Sequence, residues 1–109
     1  MPFTAPEHAD GEPYRSPLGL DVERVHADAA GERVRCVLPR RCEGYEGLAH
    51  GGAIATLFDD AMARILLGRK IYAFTAKLEV RYKRPVPVGE AVEIEASLEH
   101  AHAPLYAMR

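Results

Sequence analysis

The sequence predicts an α+β domain in which one long helix is covered by one curved antiparallel sheet, and three observations carry that prediction. After a glycine-rich loop, apolar residues recur with helical period for about four turns. Segments on both sides of that stretch alternate apolar and polar residues with the two-residue period of half-buried strands. Their order along the chain is strand, strand, helix, then strands, so the apolar stripe of the helix can be hidden against a single sheet.

Taken in order, residues 1–17 hold Pro2, Pro6, Asp10, Gly11, Pro13 and Pro17 without periodicity, which predicts an extended N-terminal arm, with the domain proper spanning 18–109. An apolar pattern begins at Leu18 and runs to Val25. Ala29-Ala30-Gly31-Glu32 then reads as a turn into Arg33–Leu38, which makes a first hairpin. In its second arm Val34, Cys36 and Leu38 alternate with Arg33, Arg35 and Val37, and Pro39 ends it. The loop 40–52 contains four glycines, and the helix follows. Ile54, Leu57, Phe58, Ala61, Met62, Ile65 and Leu66 form its stripe, Gly68 stops it, and Arg69 and Lys70 suit its negative end. Phe74, Ala76, Leu78, Val80 and Tyr82 alternate with Thr75, Lys77, Glu79, Arg81 and Lys83, the clearest strand pattern in the chain. Residues 85–90 turn the chain. Val92, Ile94, Ala96 and Leu98 then alternate with Glu93, Glu95, Ser97 and Glu99, His100–Pro104 reads as a turn, and Leu105–Arg109 as the start of another strand.

Composition narrows the function classes. At 109 residues the chain holds one core, and 48% hydrophobic against 28% charged residues is a globular balance. A formal net charge of −2 gives no global pull towards nucleic acid or an anionic membrane, so neither is an expected partner. A helix-turn-helix DNA binder is disfavoured further by the single convincing helix. Cys36 and Cys42 are too few for a disulfide scaffold and form no CxxC pattern, which fits reduced thiols in a cytoplasmic protein. The first thirty residues contain no apolar run of the kind a signal peptide or membrane span needs. His100 and His102 could share a metal on one strand face, yet no further ligand accompanies them, so no metal is expected.

The chemistry concentrates where the loop enters the helix. A helix N-terminus offers unpaired N–H groups and positive potential, so Gly51 and Gly52 could donate to a carbonyl oxygen gaining charge; equally, they could serve only to turn the chain tightly. Asp59 lies at the edge of the apolar stripe, where partial desolvation raises the basicity of a carboxylate and suits it to activate water or attack a carbonyl; the plainer alternative is a solvated surface aspartate. Asp60 and Arg64, four residues apart, are expected to pair on the outer face of the helix.

The run His50-Gly51-Gly52-Ala53-Ile54-Ala55-Thr56-Leu57-Phe58-Asp59 resembles the HGG-x-x-A-T-x-x-D signature of the PaaI-like branch of the hot-dog-fold acyl-coenzyme A thioesterases. Downstream, Phe74 to Pro87 resembles that family's strand after the helix with its Y-x-R-P-x-P ending, and the resemblance spans roughly residues 33–99. It implies a hot-dog fold and hydrolysis of acyl-CoA thioesters with Asp59 as general base or nucleophile. It further implies that the N–H of Gly51 or Gly52 polarises the thioester carbonyl, while His50 shapes the turn or contacts the thioester. Thr75 matches a position that in some relatives orients water or substrate, although strand alternation leaves an ordinary exposed threonine equally open. Coenzyme A enters as part of the substrate and no cofactor is implied; Lys83 and Arg84 are among the cations available for its phosphates. Family sites are built between subunits, which implies a homodimer or homotetramer. Two departures stand out. Gly44 occupies a position where some relatives carry a polar side chain, and the family usually continues through a fuller fifth strand and a closing strand, so a sheet shortened at its C-terminal side is expected. The rivals are a non-catalytic acyl-CoA-binding or scaffold protein and a hot-dog dehydratase or hydratase.

Overall fold

The computed structural model describes residues 14–16, 18–28, 30–102 and 105–108. Residues 1–13 and 17 of the expected arm lie outside that set. The elements are β1 (Tyr14–Arg15), β2 (Asp21–Ala27), β3 (Gly31–Val37), a 3-10 turn at Arg40–Cys42, α1 (Gly51–Gly68), β4 (Ala91–His102) and β5 (Leu105–Met108). The strands form one antiparallel sheet in the order β1-β2-β3-β4-β5, with the helix inserted between β3 and β4.

Alternation decides which face meets the helix. Leu20 and Val22 from the start of β2, Val34, Cys36 and Leu38 along β3, and Ile94 and Ala96 from β4 are buried against Leu57, Ala61 and Ile65 of α1. The register places Val34 opposite Ile94 and Cys36 opposite Val92, so in-facing residues meet across the strands. Ile54, Phe58 and Met62 pack at the margin of this core, completing the expected stripe.

Several local expectations shift. The β2–β3 turn is closed by Asp28, whose Oδ1 accepts the N–H groups of Ala30 and Gly31 at 2.8 and 2.9 Å, so Gly31 and Glu32 already belong to β3. Gly31 serves another purpose there: a Cβ would lie 2.7 Å from the carbonyl oxygen of Ala96, so only glycine lets β4 approach. Gly68 is the last helical residue, but the left-handed position is Lys70, at φ 61°. Lys70 N–H donates to Leu67 and Ile71 N–H to Leu66, both at 2.9 Å, the paired bonds that close a helix C-terminus. β4 continues through His100 to His102, so these histidines extend the strand instead of turning it, and pairing with β5 holds them there.

The largest correction concerns residues 74–83. No strand forms there. Among the described residues no backbone hydrogen bond joins 73–85 to another element, and Tyr72, Phe74, Leu78 and Tyr82 are exposed, Phe74 completely. Alternation specifies faces, but a strand also needs a neighbour to exchange backbone hydrogen bonds with, and none of β1 to β5 pairs with this segment. The segment instead runs back along the helix, with Thr75 meeting its third turn and Tyr82 its first residue.

A buried charge cluster is the other surprise. Arg24 continues the in-facing positions of Leu20 and Val22, Glu32 those of Val34 and Cys36, and the two pair at 3.3 Å under the sheet. Burial pushes the Glu32 carboxyl above its usual value, against the pull of the Arg24 guanidinium. Asp60 and Arg64 do pair, at 3.0 Å, but are mostly buried and near enough to act on Glu32, so they face this cluster and not the outer surface.

Candidate active site

The site is built from the loop upward. The loop 42–49 is pinned on two sides: His50 N–H donates to Cys42 O at 2.7 Å, while Ala49 N–H donates to Val86 O and Val88 N–H to Gly47 O at 2.7 and 3.1 Å. This delivers His50 to the head of α1 in an extended conformation, φ −64° and ψ 134°, as its N-cap. The imidazole Nδ1 accepts the Gly52 N–H at 2.9 Å, satisfying one of the unpaired donors of the first turn. In the neutral ring the proton therefore sits on Nε2. The neighbouring glycines make room for that ring. A Cβ on Gly52 would come within 3.1 Å of Nδ1, and one on Gly44 within 3.2 Å of His50 Cα, so a side chain at either position would press on His50.

Because His50 occupies Gly52, the two candidate carbonyl donors are no longer equivalent. The N–H of Gly51 has no acceptor among the described residues, and the His50 carbonyl of the same peptide is tied into the helix by Ala53 and Ile54 at 3.0 and 3.2 Å. Its N–H thus points out of the positive end of α1.

Asp59 is half-buried on the helix flank, and Thr75 Oγ1 donates to its Oδ1 at 2.7 Å. The two residues that the sequence singled out sixteen positions apart are thus in direct contact. One carboxylate oxygen is held and the other left available. Thr75 keeps its lone pairs for a water, so the pair can orient a nucleophile for general-base chemistry. Lys83 and Arg84 are exposed, without an ion pair among the described residues, and follow directly on Tyr82, whose hydroxyl reaches Gly51. Tyr82 was legible as an apolar strand position and as the first residue of the Y-x-R-P-x-P ending, with a role assigned by neither. Nothing in local spacing announces a hydrogen bond to a backbone carbonyl thirty-one residues away.

Gly51 and Asp59 are eight residues apart on one helix, about 12 Å along its axis at 1.5 Å per residue. The candidate carbonyl donor and the carboxylate thus stand about two turns apart on one helix. Two open clefts, of about 560 and 550 Å³, lie along exposed strand residues around Arg35 and Arg33, and neither includes His50, Gly51, Asp59 or Thr75. Among the described residues no three His, Cys, Asp or Glu side chains converge as a metal site. No helix there is long and apolar enough to cross a membrane.

The family model of the thioesterase superfamily matches residues 46–103, from the loop before His50 to the end of β4. The chain belongs to the thioesterase superfamily. Among curated relatives of this thioesterase-superfamily chain, acyl-coenzyme A thioesterase THEM4 of Bos taurus is 40% identical over 57 residues, covering 52% of this chain and 23% of that protein. The Xenopus laevis THEM4 is 43% identical over 60 residues, 52% of this chain and 26% of the relative. The Rattus norvegicus THEM4 is 32% identical over 84 residues, 75% and 36% respectively. The aligned region thus spans from 23% to 36% of those proteins. The solved structure of the E. coli PaaI protein from the phenylacetic acid degradation operon superposes with a TM-score of 0.69 at 18% identity, covering 74% of this chain and 62% of that one. At that identity the likeness speaks for the fold, which is the hot-dog arrangement of an antiparallel sheet around a central helix.

Proposed function

We propose that this thioesterase-superfamily domain hydrolyses acyl-coenzyme A thioesters to a free acid and coenzyme A, with Asp59 as the catalytic carboxylate. The observation that carries the reading is the Thr75–Asp59 hydrogen bond on the flank of a helix whose first N–H is left open. In this reading Asp59 takes a proton from water while the water oxygen bonds to the thioester carbon. The carbonyl becomes an oxyanion held by the Gly51 N–H, the C–S bond breaks, and the proton ends on the departing thiol. Direct attack by Asp59, with an anhydride opened by water, uses the same atoms. In this reading the exposed Lys83 and Arg84, next to Tyr82 at the head of the helix, meet coenzyme A phosphates.

The same reading requires a second subunit. With about 12 Å of helix between Gly51 and Asp59, the carbonyl donor and the carboxylate serving one thioester must come from different copies. Residues 72–82, with Tyr72, Phe74 and Tyr82 exposed and, among the described residues, no backbone hydrogen bond from 73–82 to another element, offer the surface on which a second copy would sit. The minimum assembly is then a homodimer. The cytoplasmic setting expected from the free cysteines goes with this reading and is tested by cell fractionation.

The test is release of free thiol from short, long and aromatic acyl-CoAs by the unaltered protein and by Asp59→Asn. Hydrolysis that falls by roughly a thousandfold or more in the variant, with fold and assembly unchanged, is the expected result. Equal rates would remove Asp59 from the mechanism. Binding without turnover throughout the panel would favour a non-catalytic acyl-CoA-binding role.

A further inference from the structure

We propose that Tyr82 is a positioning residue of this site: its hydroxyl locks the Gly51–Gly52 peptide at the head of α1 and so holds the Gly51 N–H in its outward direction. The proposal rests on the thioesterase reading above and adds to it a residue that neither motif assigns a role.

A peptide unit is a rigid plane, so its carbonyl oxygen and its N–H turn together. The Gly51–Gly52 unit is gripped at both ends. Tyr82 Oη donates to the Gly51 oxygen at 2.6 Å, and the Gly52 N–H donates to His50 Nδ1 at 2.9 Å. Two successive glycines are the point in a helix with the widest choice of backbone angles, and here they stand in the first turn, where the carbonyls join the intrahelical ladder but the N–H groups have no partner in it. Among the described residues, the plane before them is held only through the His50 carbonyl. Gripping the following plane fixes the second hinge, so the orientation of the open N–H no longer depends on the glycine torsions alone. The tyrosine ring needs this glycine in turn: a Cβ on Gly51 would lie 3.3 Å from its Cζ and Oη. Helix and segment therefore have matched shapes at this contact. The next carbonyl, that of Gly52, takes the Thr56 hydroxyl at 2.8 Å, so both glycine carbonyls of the first turn carry a side-chain hydroxyl.

Tyr82→Phe removes the hydroxyl and keeps the ring. With 15N-glycine labelling the chain's nine glycines give a spectrum sparse enough to follow Gly51 and Gly52 individually. The expected result is a displaced Gly52 amide signal, a thermal midpoint close to that of the unaltered protein, and a kcat lowered roughly ten- to a hundredfold with KM changed less than about twofold. Asp59→Asn is the control, lowering kcat while leaving the Gly52 signal in place. An unmoved Gly52 signal in Tyr82→Phe would overturn the contact. A displaced signal with unchanged kcat would overturn the positioning role, as would a parallel loss of stability and rise in KM, which marks a merely structural tyrosine. Absence of turnover by the unaltered protein would instead sink the thioesterase reading and the positioning role with it, leaving the Gly52 signal to judge the contact alone.

Discussion

On the outer face of β2, β3 and β4, charged side chains meet partners of opposite sign across the strands. Glu23 stands opposite Arg35, Arg35 opposite Glu93, and Arg33 opposite Glu95, with Arg35 and Glu93 in contact at 2.8 Å. Along residues 72–82 the situation is reversed: Tyr72, Phe74, Leu78 and Tyr82 are exposed, and the backbone of 73–85 is joined to no strand among the described residues. The first surface is complete in a single chain and the second is not. All the residues assigned to chemistry, His50, Gly51, Asp59 and Thr75, lie with the second. On the proposed reading, the functional side of the domain is the side a single chain leaves open, and the 12 Å or so between the proposed carbonyl donor and carboxylate is the physical reason.

The prediction with the largest effect attacks that point directly. Gly51→Pro deletes the proposed donor at a position where proline suits a helix, since it is the first helical residue and His50 before it is already extended. Activity should fall roughly a hundred- to a thousandfold with the fold retained, after Tyr82 yields a few tenths of an ångström to the ring. Asp59→Asn should be at least as damaging. Refolded together, the two dead chains should regain about a quarter of normal activity, because half the dimers are mixed and each mixed dimer holds one intact site of two. Thiol-release assays on the mixture check this. No recovery, with mixed dimers shown by native mass spectrometry, would place both groups in one chain and break the comparison.

How far these features were legible follows from what periodicity can encode. The helix stripe and the burial of β3 and β4 were readable because each residue's face is set by local spacing alone. The 74–83 segment misled the reading because alternation encodes a face but not the neighbour that must supply hydrogen bonds. The Arg24–Glu32 pair was present in the pattern, as opposite charges at in-facing positions of adjacent strands, but charged residues in strands are ordinarily assigned to solvent. At the site, residue physics left Asp59 and the glycines open between two readings, and the motif resemblance chose between them. The commitment of Gly52 to His50, and the grip of Tyr82 on Gly51, depend on three-dimensional contacts that no spacing rule states.

Between the two surfaces lies the buried charge pair, and it gives the next largest effect. Arg24→Met leaves the Glu32 carboxylate buried without its hydrogen-bonded counter-charge and with only the smaller pull of Arg64, which should cost about 3 kcal/mol in urea denaturation. Glu32 already has its carboxyl raised by burial, and losing Arg24 raises it further. A raised folded-state value means the folded chain binds more protons than the unfolded one, so stability increases as pH falls. The variant should therefore recover part of its loss as pH falls towards the ordinary carboxyl value of 4.5, more steeply than the unaltered protein. A loss independent of pH would show that Arg24 acts through packing instead of charge.

The smallest effect is expected on the outer face, and its smallness is the point. The Arg35 hydrogen bond holds the Glu93 carboxyl below its ordinary value of 4.5, so the pair's contribution is present above that value and disappears as pH falls through the lowered one. Both side chains remain nearly half exposed, so water and salt screen what they gain. A double-mutant cycle with Arg35→Gln and Glu93→Gln should yield a coupling close to experimental error, vanishing in high salt, with thiol release unchanged in all three variants. A large coupling, or activity lost with either residue, would mean that this face carries more than solubility. The line between a self-sufficient surface and an incomplete, functional one would then have to be redrawn across the sheet itself.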